Sequence, residues 1–184
     1  MEQVQPDLSR LFEALHYAAE KHKTQRRKGS ADTPYINHPI AVAYYLSTYA
    51  HIRDLDVLTA AILHDTLEDT DATTEEIEEK FGPRVLKLVL EVTDDKNLPK
   101  NIRRREQENT VNQRSHGAKL IRIADKISNV HDLFYTPPAG WDSDTQIEYL
   151  DWTERVISKI KGINSNLEDK YDEMLEMTRQ KYTI

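Results

Sequence analysis

The sequence predicts an all-α fold, a compact single-domain bundle of about eight to ten helices, on three observations. Apolar residues recur at helical rather than alternating spacing along most of the chain, and no long strand pattern interrupts them. Capping residues, prolines and glycines punctuate these stretches at short intervals. There is no internal repeat, low-complexity tract or linker long enough to divide the 184 residues, so residues 1–184 are expected to form one domain. That length buries a core without disulfides or metal staples.

Leu8, Leu11, Phe12, Leu15, Ala18 and Ala19 form the apolar stripe of a first helix, with Asp7 as its expected N-cap and its end near Lys23. A basic turn follows, Lys23-Thr24-Gln25-Arg26-Arg27-Lys28-Gly29, and then a polar loop with Pro34. Asn37-His38-Pro39 opens a second helix with Pro39 at its first position, carrying Ile40, Ala43, Tyr44 and Leu46 towards Tyr49. Asp54 caps a third. Thr73-Thr74-Glu75-Glu76 is a capping sequence for a short helix ending before Gly82, and Pro83 starts another with Val85, Leu86, Val89 and Val92 inward. Beyond the turn at Thr93 to Asn97, Pro99 opens a very basic helix through Lys100, Arg103, Arg104 and Arg105. Gly117 precedes a strongly patterned helix, Ala118 to Phe134, with Leu120, Ile121, Ala124, Ile127 and Val130 inward. Thr136-Pro137-Pro138 breaks it, and helices over about Asp142–Lys161 and Ser165–Lys181 complete the chain.

Composition narrows the function. The 38% hydrophobic and 31% charged residues suit amphipathic helices, and no stretch approaches the roughly 20 apolar residues of a membrane span. The N-terminal residues are polar and lack a signal-peptide core, so a cytoplasmic protein is expected. Cysteine is absent, which excludes thiol catalysis. A formal net charge of −7 argues against nonspecific nucleic-acid binding, although a local basic patch is enough for a small anion.

The stretch Ala61-Ile62-Leu63-His64-Asp65-Thr66-Leu67-Glu68-Asp69-Thr70 organises the rest. Placed on one helix, His64, Glu68, Asp65 and Asp69 fall within an arc of about 140°, with Ala60, Leu63 and Leu67 opposite. Three carboxylates on one face repel each other, and a divalent cation reverses the sign of that repulsion. An acidic solvated face is the ordinary reading of such a pattern. The adjacent His64-Asp65 pair favours a metal, provided that other segments complete its shell. A second such dipeptide, His131-Asp132, has no matching ligands around it and reads as helix surface.

Two positions are suited to completing the shell. His38 sits at a helix start with fixed backbone geometry, where a capping or surface histidine is as good a reading as a ligand. Asp125 lies in the apolar stretch Ile121-Arg122-Ile123-Ala124-Asp125-Lys126-Ile127, where a carboxylate needs a partner. Lys126, about 100° around the helix, is a poor one, and a metal is a good one. His38, His64, Asp65 and Asp125 make a mixed nitrogen/oxygen set that leans to Mn²⁺ or Fe²⁺ ahead of structural Zn²⁺. Glu68 and Asp69, one turn beyond, are then acid/base groups beside the attacking water.

The order Tyr35-Ile36-Asn37-His38-Pro39, then His64-Asp65-Thr66-Leu67-Glu68-Asp69-Thr70, then Leu120-Ile121-Arg122-Ile123-Ala124-Asp125-Lys126 resembles the HD-superfamily hydrolase domain of RelA/SpoT proteins, which cleave the alarmone (p)ppGpp. Gln25-Arg26-Arg27-Lys28, Phe81-Gly82, Glu91 to Lys96 and Asn129 extend the likeness. Thr136-Pro137, Gly140-Trp141 and Glu148-Tyr149 are similar to the stand-alone metazoan SpoT homologue type. The resemblance spans about Leu8 to Ile184 and leaves no residues for a synthetase or regulatory domain. His131 departs from it, since the family more usually has arginine there.

The resemblance implies the HD-domain fold and a 3′-pyrophosphohydrolase dependent on one Mn²⁺ held by His38, His64, Asp65 and Asp125, with Glu68 and Asp69 assisting the water. Arg27, Lys28 and Tyr35 are implied near the guanine, and Lys100, Asn129 and Tyr149 at the ribose or phosphates. The only expected partner is a small nucleotide, (p)ppGpp or alternatively NADPH, with no nucleic acid, membrane or obligatory protein. NADPH enters because its 2′-phosphate suits the same metal chemistry. A nucleotide-sensing domain without turnover is the non-enzymatic alternative, and the intact set of six metal and acid residues speaks against it. The remaining histidines, His16, His22, His51 and His116, have no motif context and read as surface or satisfied core groups.

Overall fold

The structure, a computed structural model, describes residues 8–29 and 32–182. Among them are nine helices of eight or more residues and one four-residue helical turn, with no strand beyond isolated bridges. They are α1 (Leu8–Lys21), α2 (Asn37–Thr48), α3 (Leu55–Leu63), α4 (Thr66–Asp69), α5 (Thr74–Phe81), α6 (Pro83–Val92), α7 (Lys100–Thr110), α8 (His116–Tyr135), α9 (Ser143–Ser158) and α10 (Ser165–Tyr182). The expected cap Asp7 lies outside the described residues.

Local chemistry sets the boundaries. Asp54 accepts a hydrogen bond from the Asp56 amide at the start of α3, and Thr73 and Glu76 close a reciprocal capping box on α5. Gly82, at φ +87°, ends α5 where an L side chain would be strained. Two expected boundaries differ. Pro39 is the third residue of α2 and not its first, which the helix tolerates because its first amides need no intrahelical acceptor. Helix α8 begins at His116, capped by Ser115, so Gly117 lies inside it. A Cβ there would sit 2.9 Å from Leu88 Cδ2 and 3.1 Å from Val57 Cγ2, and glycine is what lets α8 approach α3 and α6 closely.

Helix α8 is the axis of the molecule, packed against α2, α3, α6, α9 and α10. The expected inward residues Leu120, Ile121, Ala124, Ile127 and Val130 are buried, and so are Ile123, Asp125, Lys126 and Ser128. A helix covered on most sides must satisfy its polar groups with neighbours, and those neighbours build the site. The buried apolar cluster is continuous from Ala14 in α1 to Leu175 in α10.

The central motif does not occupy one helix. Helix α3 ends at Leu63 and α4 begins at Thr66, with His64 and Asp65 in the break. Side chains explain it: the His64 ring takes the Ala61 carbonyl at 2.7 Å, and Thr66 Oγ1 donates to the Leu63 carbonyl at 2.7 Å. Both carbonyls are thereby engaged by side chains at the point where the helix stops. The basic turn after α1 is fastened to the segment after α8 by a bridge between Gly29 and Pro138.

Candidate functional site

Three donor atoms converge behind the α3–α4 break. The Ala61 carbonyl can only accept, so His64 Nδ1 carries a hydrogen and Nε2 faces the cluster. That Nε2 is buried and makes no hydrogen bond among the described residues, although Asp65 Oδ2 lies 3.1 Å away. His38 Nδ1 lies 2.9 Å from Ser128 Oγ, which turns its Nε2 towards Asp65 Oδ2 at 3.5 Å and Asp125 Oδ1 at 3.3 Å. Tyr35 donates to Asp65 Oδ2 at 2.6 Å. One ligand atom from each of His38, His64 and Asp65 lies within 4.8 Å of the others. Asp125, the fourth expected ligand, stands outside that set and accepts from Asn129 at 2.6 Å.

The donor set fits a divalent cation. Two imidazoles are oriented by outer hydrogen bonds, one ring nitrogen is buried without a partner, and two carboxylates are adjacent. Among the protein groups alone, a proton takes that place. Burial opposes a charged imidazole at His64, but Asp65 overrides it and raises the group to about 9. His38 is pushed down, chiefly by burial. A buried nitrogen that holds a proton beside a carboxylate is equally a ligand for a metal that displaces it.

The two carboxylates of α4 have different surroundings. Burial and then the Asp65 charge raise Glu68 to about 7, while it accepts from the Asp94 amide at 3.1 Å and Arg103 at 3.3 Å. Asp69 accepts from Lys96 and, at 3.0 Å, from Gln25 Nε2.

A cavity of about 500 Å³ opens above the donors. Of the twelve site residues expected from sequence, all but His64 line it, and His64 lies beneath. Arg26, Arg27, Lys28, Lys96, Lys100, Arg103, Arg104, Arg122 and Lys126 face Asp65, Glu68, Asp69, Asp94, Asp125 and Asp132 around its wall. The chain of net charge −7 therefore concentrates positive charge here, as an anionic ligand requires. Arg27 lies over the Tyr35 ring at 5.3 Å and donates to Asp132 at 2.8 Å and Asn129 at 2.7 Å. Lys100 lies 5.3 Å over Trp141, and Tyr149 sits between Trp141 and Trp152. A second cavity of about 340 Å³ behind Asp94 and Arg103 touches none of the three donors.

Three expectations are corrected. Asp132 is not ordinary helix surface, because it anchors Arg27 on the cavity wall. Lys126 is a partner of Asp125 at 3.2 Å, held there by packing against Trp152 at 4.3 Å. His22 is buried, but its Nε2 has no hydrogen-bond partner among the described residues. Ser128 was not anticipated, and Gln25 and Arg103 were named only as part of the basic turn and the basic helix, without the contacts they make to Asp69 and Glu68. The spacing of Asp125, Ser128, Asn129 and Asp132, three and four residues apart on α8, was the available signal for two of the missed side chains.

A family model described as HD domain matches residues 14–146. The chain is 47% identical over 170 residues to guanosine-3′,5′-bis(diphosphate) 3′-pyrophosphohydrolase MESH1 of Mus musculus, covering 92% of this chain and 95% of the relative. It is 48% identical over 163 residues to the same-named protein of Homo sapiens, covering 89% and 91%. Among solved structures, a metazoan orthologue of SpoT, described as hydrolysing ppGpp and playing a role in starvation responses, superposes with a TM-score of 0.90 at 46% identity, over 97% of this chain and 98% of that one.

Proposed function

The chain belongs to the HD-domain family, and on that premise we propose that it is a metal-dependent guanosine-3′,5′-bis(diphosphate) 3′-pyrophosphohydrolase, converting ppGpp or pppGpp to GDP or GTP and pyrophosphate. The observation that carries the proposal is the convergence of His38, His64 and Asp65 on the floor of a cavity walled by cationic side chains. The named activity of the relatives agrees with that chemistry.

His38, His64 and Asp65, with Asp125 beside them, would hold the ion, and we take it to be a single Mn²⁺ because the donors are nitrogen and oxygen without thiolate. When bound, a divalent ion supplies Lewis-acid polarisation of a phosphoryl group and acidification of water. The remaining work belongs to side chains. The water oxygen forms a bond to the α-phosphorus of the 3′-diphosphate, and the bond from that phosphorus to the 3′ oxygen breaks. Glu68, raised to about 7, accepts the proton from water and supplies the one that the departing 3′ oxygen needs. Asp69, anchored by Lys96 and Gln25, orients the water. Arg27 and Tyr35 offer a planar cationic and aromatic face for the guanine, with Lys28 beside them, while Lys100, Asn129 and Tyr149 contact ribose or phosphate.

Residues 1–184 are taken as one phosphohydrolase domain, which the continuous core from Ala14 to Leu175 supports. A soluble nucleotide substrate calls for no obligatory protein partner and suits the cytoplasm, and no described helix is long and apolar enough to cross a membrane. Turnover of ppGpp, assayed with and without added Mn²⁺ and beside NADPH, tests the assignment. Mn²⁺-dependent release of pyrophosphate from ppGpp is expected. Turnover of NADPH alone would replace the substrate.

A further inference from the structure

Among the histidines outside the donor pair, His22 alone is buried. It lies just beyond the end of α1, and two of its contacts lead to different parts of the site. The first runs through Gln25, whose Nε2 donates to Asp69 Oδ2 at 3.0 Å. A carboxylate accepts only, so this contact fixes the amide orientation and leaves Gln25 Oε1 as an acceptor. Gln25 Oε1 is 2.6 Å from His22 Nδ1, which must therefore carry a hydrogen and donate it. The second contact is the ring face, stacked on Tyr35 at 4.8 Å with an interplanar angle of 26°. Tyr35 in turn donates to Asp65 at 2.6 Å.

We propose that His22 is a positioning residue for the hydrolysis, fixing Asp69 through Gln25 and Asp65 through Tyr35. The inference rests on the catalytic reading given above for Asp69 and Asp65. A residue needed only to fill space at this point has no use for a nitrogen. His22 Nε2 is buried without a partner among the described residues, which is destabilising and which Leu or Phe would avoid. What the imidazole adds over those residues is a directed donor at Nδ1 combined with a flat face. Only a buried side chain with both can hold Gln25 in one orientation while it supports the Tyr35 ring.

Three variants separate the two arms. His22→Phe keeps the stacking face and loses the donor; Gln25→Leu keeps His22 and breaks the path to Asp69; His22→Asn places an amide N–H close to where Nδ1–H stands. With ppGpp and Mn²⁺, His22→Phe and Gln25→Leu are expected to lower kcat roughly ten- to a hundredfold, the scale of a displaced catalytic group. KM and bound Mn²⁺ should stay near wild type, and His22→Asn, which restores the donor without the stacking face, should recover part of the kcat lost in His22→Phe. If His22→Asn falls as far as His22→Phe, or if either Phe or Leu variant keeps full kcat, the proposal is overturned. Should His22→Phe not fold, Gln25→Leu leaves the buried ring in place and decides the matter with a second readout. ¹⁵N-correlated spectra should show a hydrogen on His22 Nδ1 in the wild type that shifts or exchanges faster in Gln25→Leu, and an identical signal in both would overturn the relay. That spectrum needs no turnover, so an inactive wild type would sink the substrate assignment while the relay is still judged.

Discussion

Glu68 and Asp69 are adjacent carboxylates whose chemistry is divided by what surrounds them. Burial removes water from Glu68 and the Asp65 charge disfavours a second anion, so the group titrates at about 7, near the pH where proton transfer works best. Asp69 is instead held between Lys96 and Gln25. For Glu68→Gln, kcat should fall by about 10²–10⁴ while bound Mn²⁺ and KM stay near wild type. As a proton acceptor Glu68 must be ionised, so the wild-type kcat should rise with pH on a limb centred at about 7 or below, and that limb should be missing in Glu68→Gln. Loss of Mn²⁺ from the variant would instead make Glu68 a ligand. Arg27 offers a second residue-level test. Its guanidinium is already ordered by Asp132, Asn129 and the Tyr35 ring, so a base can stack on a prepared plane. Arg27→Ala should raise KM for ppGpp at full Mn²⁺ content, and Arg27→Lys should recover little because an ammonium has no plane. Unchanged kinetics in Arg27→Ala would reduce the basic turn to surface and remove the guanine from this wall.

At the scale of elements, the site depends on two interruptions and one axis. The interruption at His64-Asp65 lets both side chains face His38, and the loop after α1 carries Arg27 across to α8. Gly29 is where that loop meets the segment after α8: a Cβ there would lie 2.3 Å from the Thr136 carbonyl oxygen, and backbone cannot yield as a side chain can. Gly29→Ala should therefore separate the two segments, destabilise the protein by about 1–3 kcal/mol in urea titrations and raise KM. Wild-type values for both would show that the clasp carries no load. Helix boundaries were legible from sequence where they are written as single residues, as at the N-caps Thr73 and Asp142 and the stop at Gly82, because a cap acts on its own adjoining turn. Asp125 stood out as a carboxylate in an apolar helix, and the motif resemblance drew His38, His64, Asp65, Glu68 and Asp69 to it; the fold brings these six to one cavity or directly against it. The break at Asp65 was not, since periodicity cannot register a histidine ring that takes a backbone carbonyl. Asp132 was missed because its partner lies 105 residues away. Lys126 was misjudged because an angle of about 100° around the helix separates the Cβ atoms and not the tips, and a long side chain packed on Trp152 reaches back to Asp125.

For the whole molecule, the linkage between metal, proton and stability follows from one buried nitrogen. His64 is raised to about 9 in the fold against about 6.5 in an unfolded chain, so its proton stabilises the fold fully below about 6.5, and that contribution is lost as pH rises through 9. An ion at the same Nε2 must displace that proton, whereas burial keeps His38 uncharged and asks for no second displacement. Mn²⁺ affinity should then weaken about tenfold for each pH unit below 9, with a slope of one proton. A ligand that binds only the folded state adds about 2.7 kcal/mol at a hundred times its Kd, which for a chain of this size is a rise in Tm of roughly 5–10 °C. The difference in Tm with and without Mn²⁺ should accordingly widen from pH 6.5 to 9, because the protein without the ion loses its His64 proton while the bound form gains affinity. Calorimetry at fixed Mn²⁺ and ionic strength across that range measures it directly, with His64→Ala as the reference in which both the metal effect and its pH dependence should vanish. A difference that stays constant with pH, or that survives in His64→Ala, would place the ion elsewhere in the molecule.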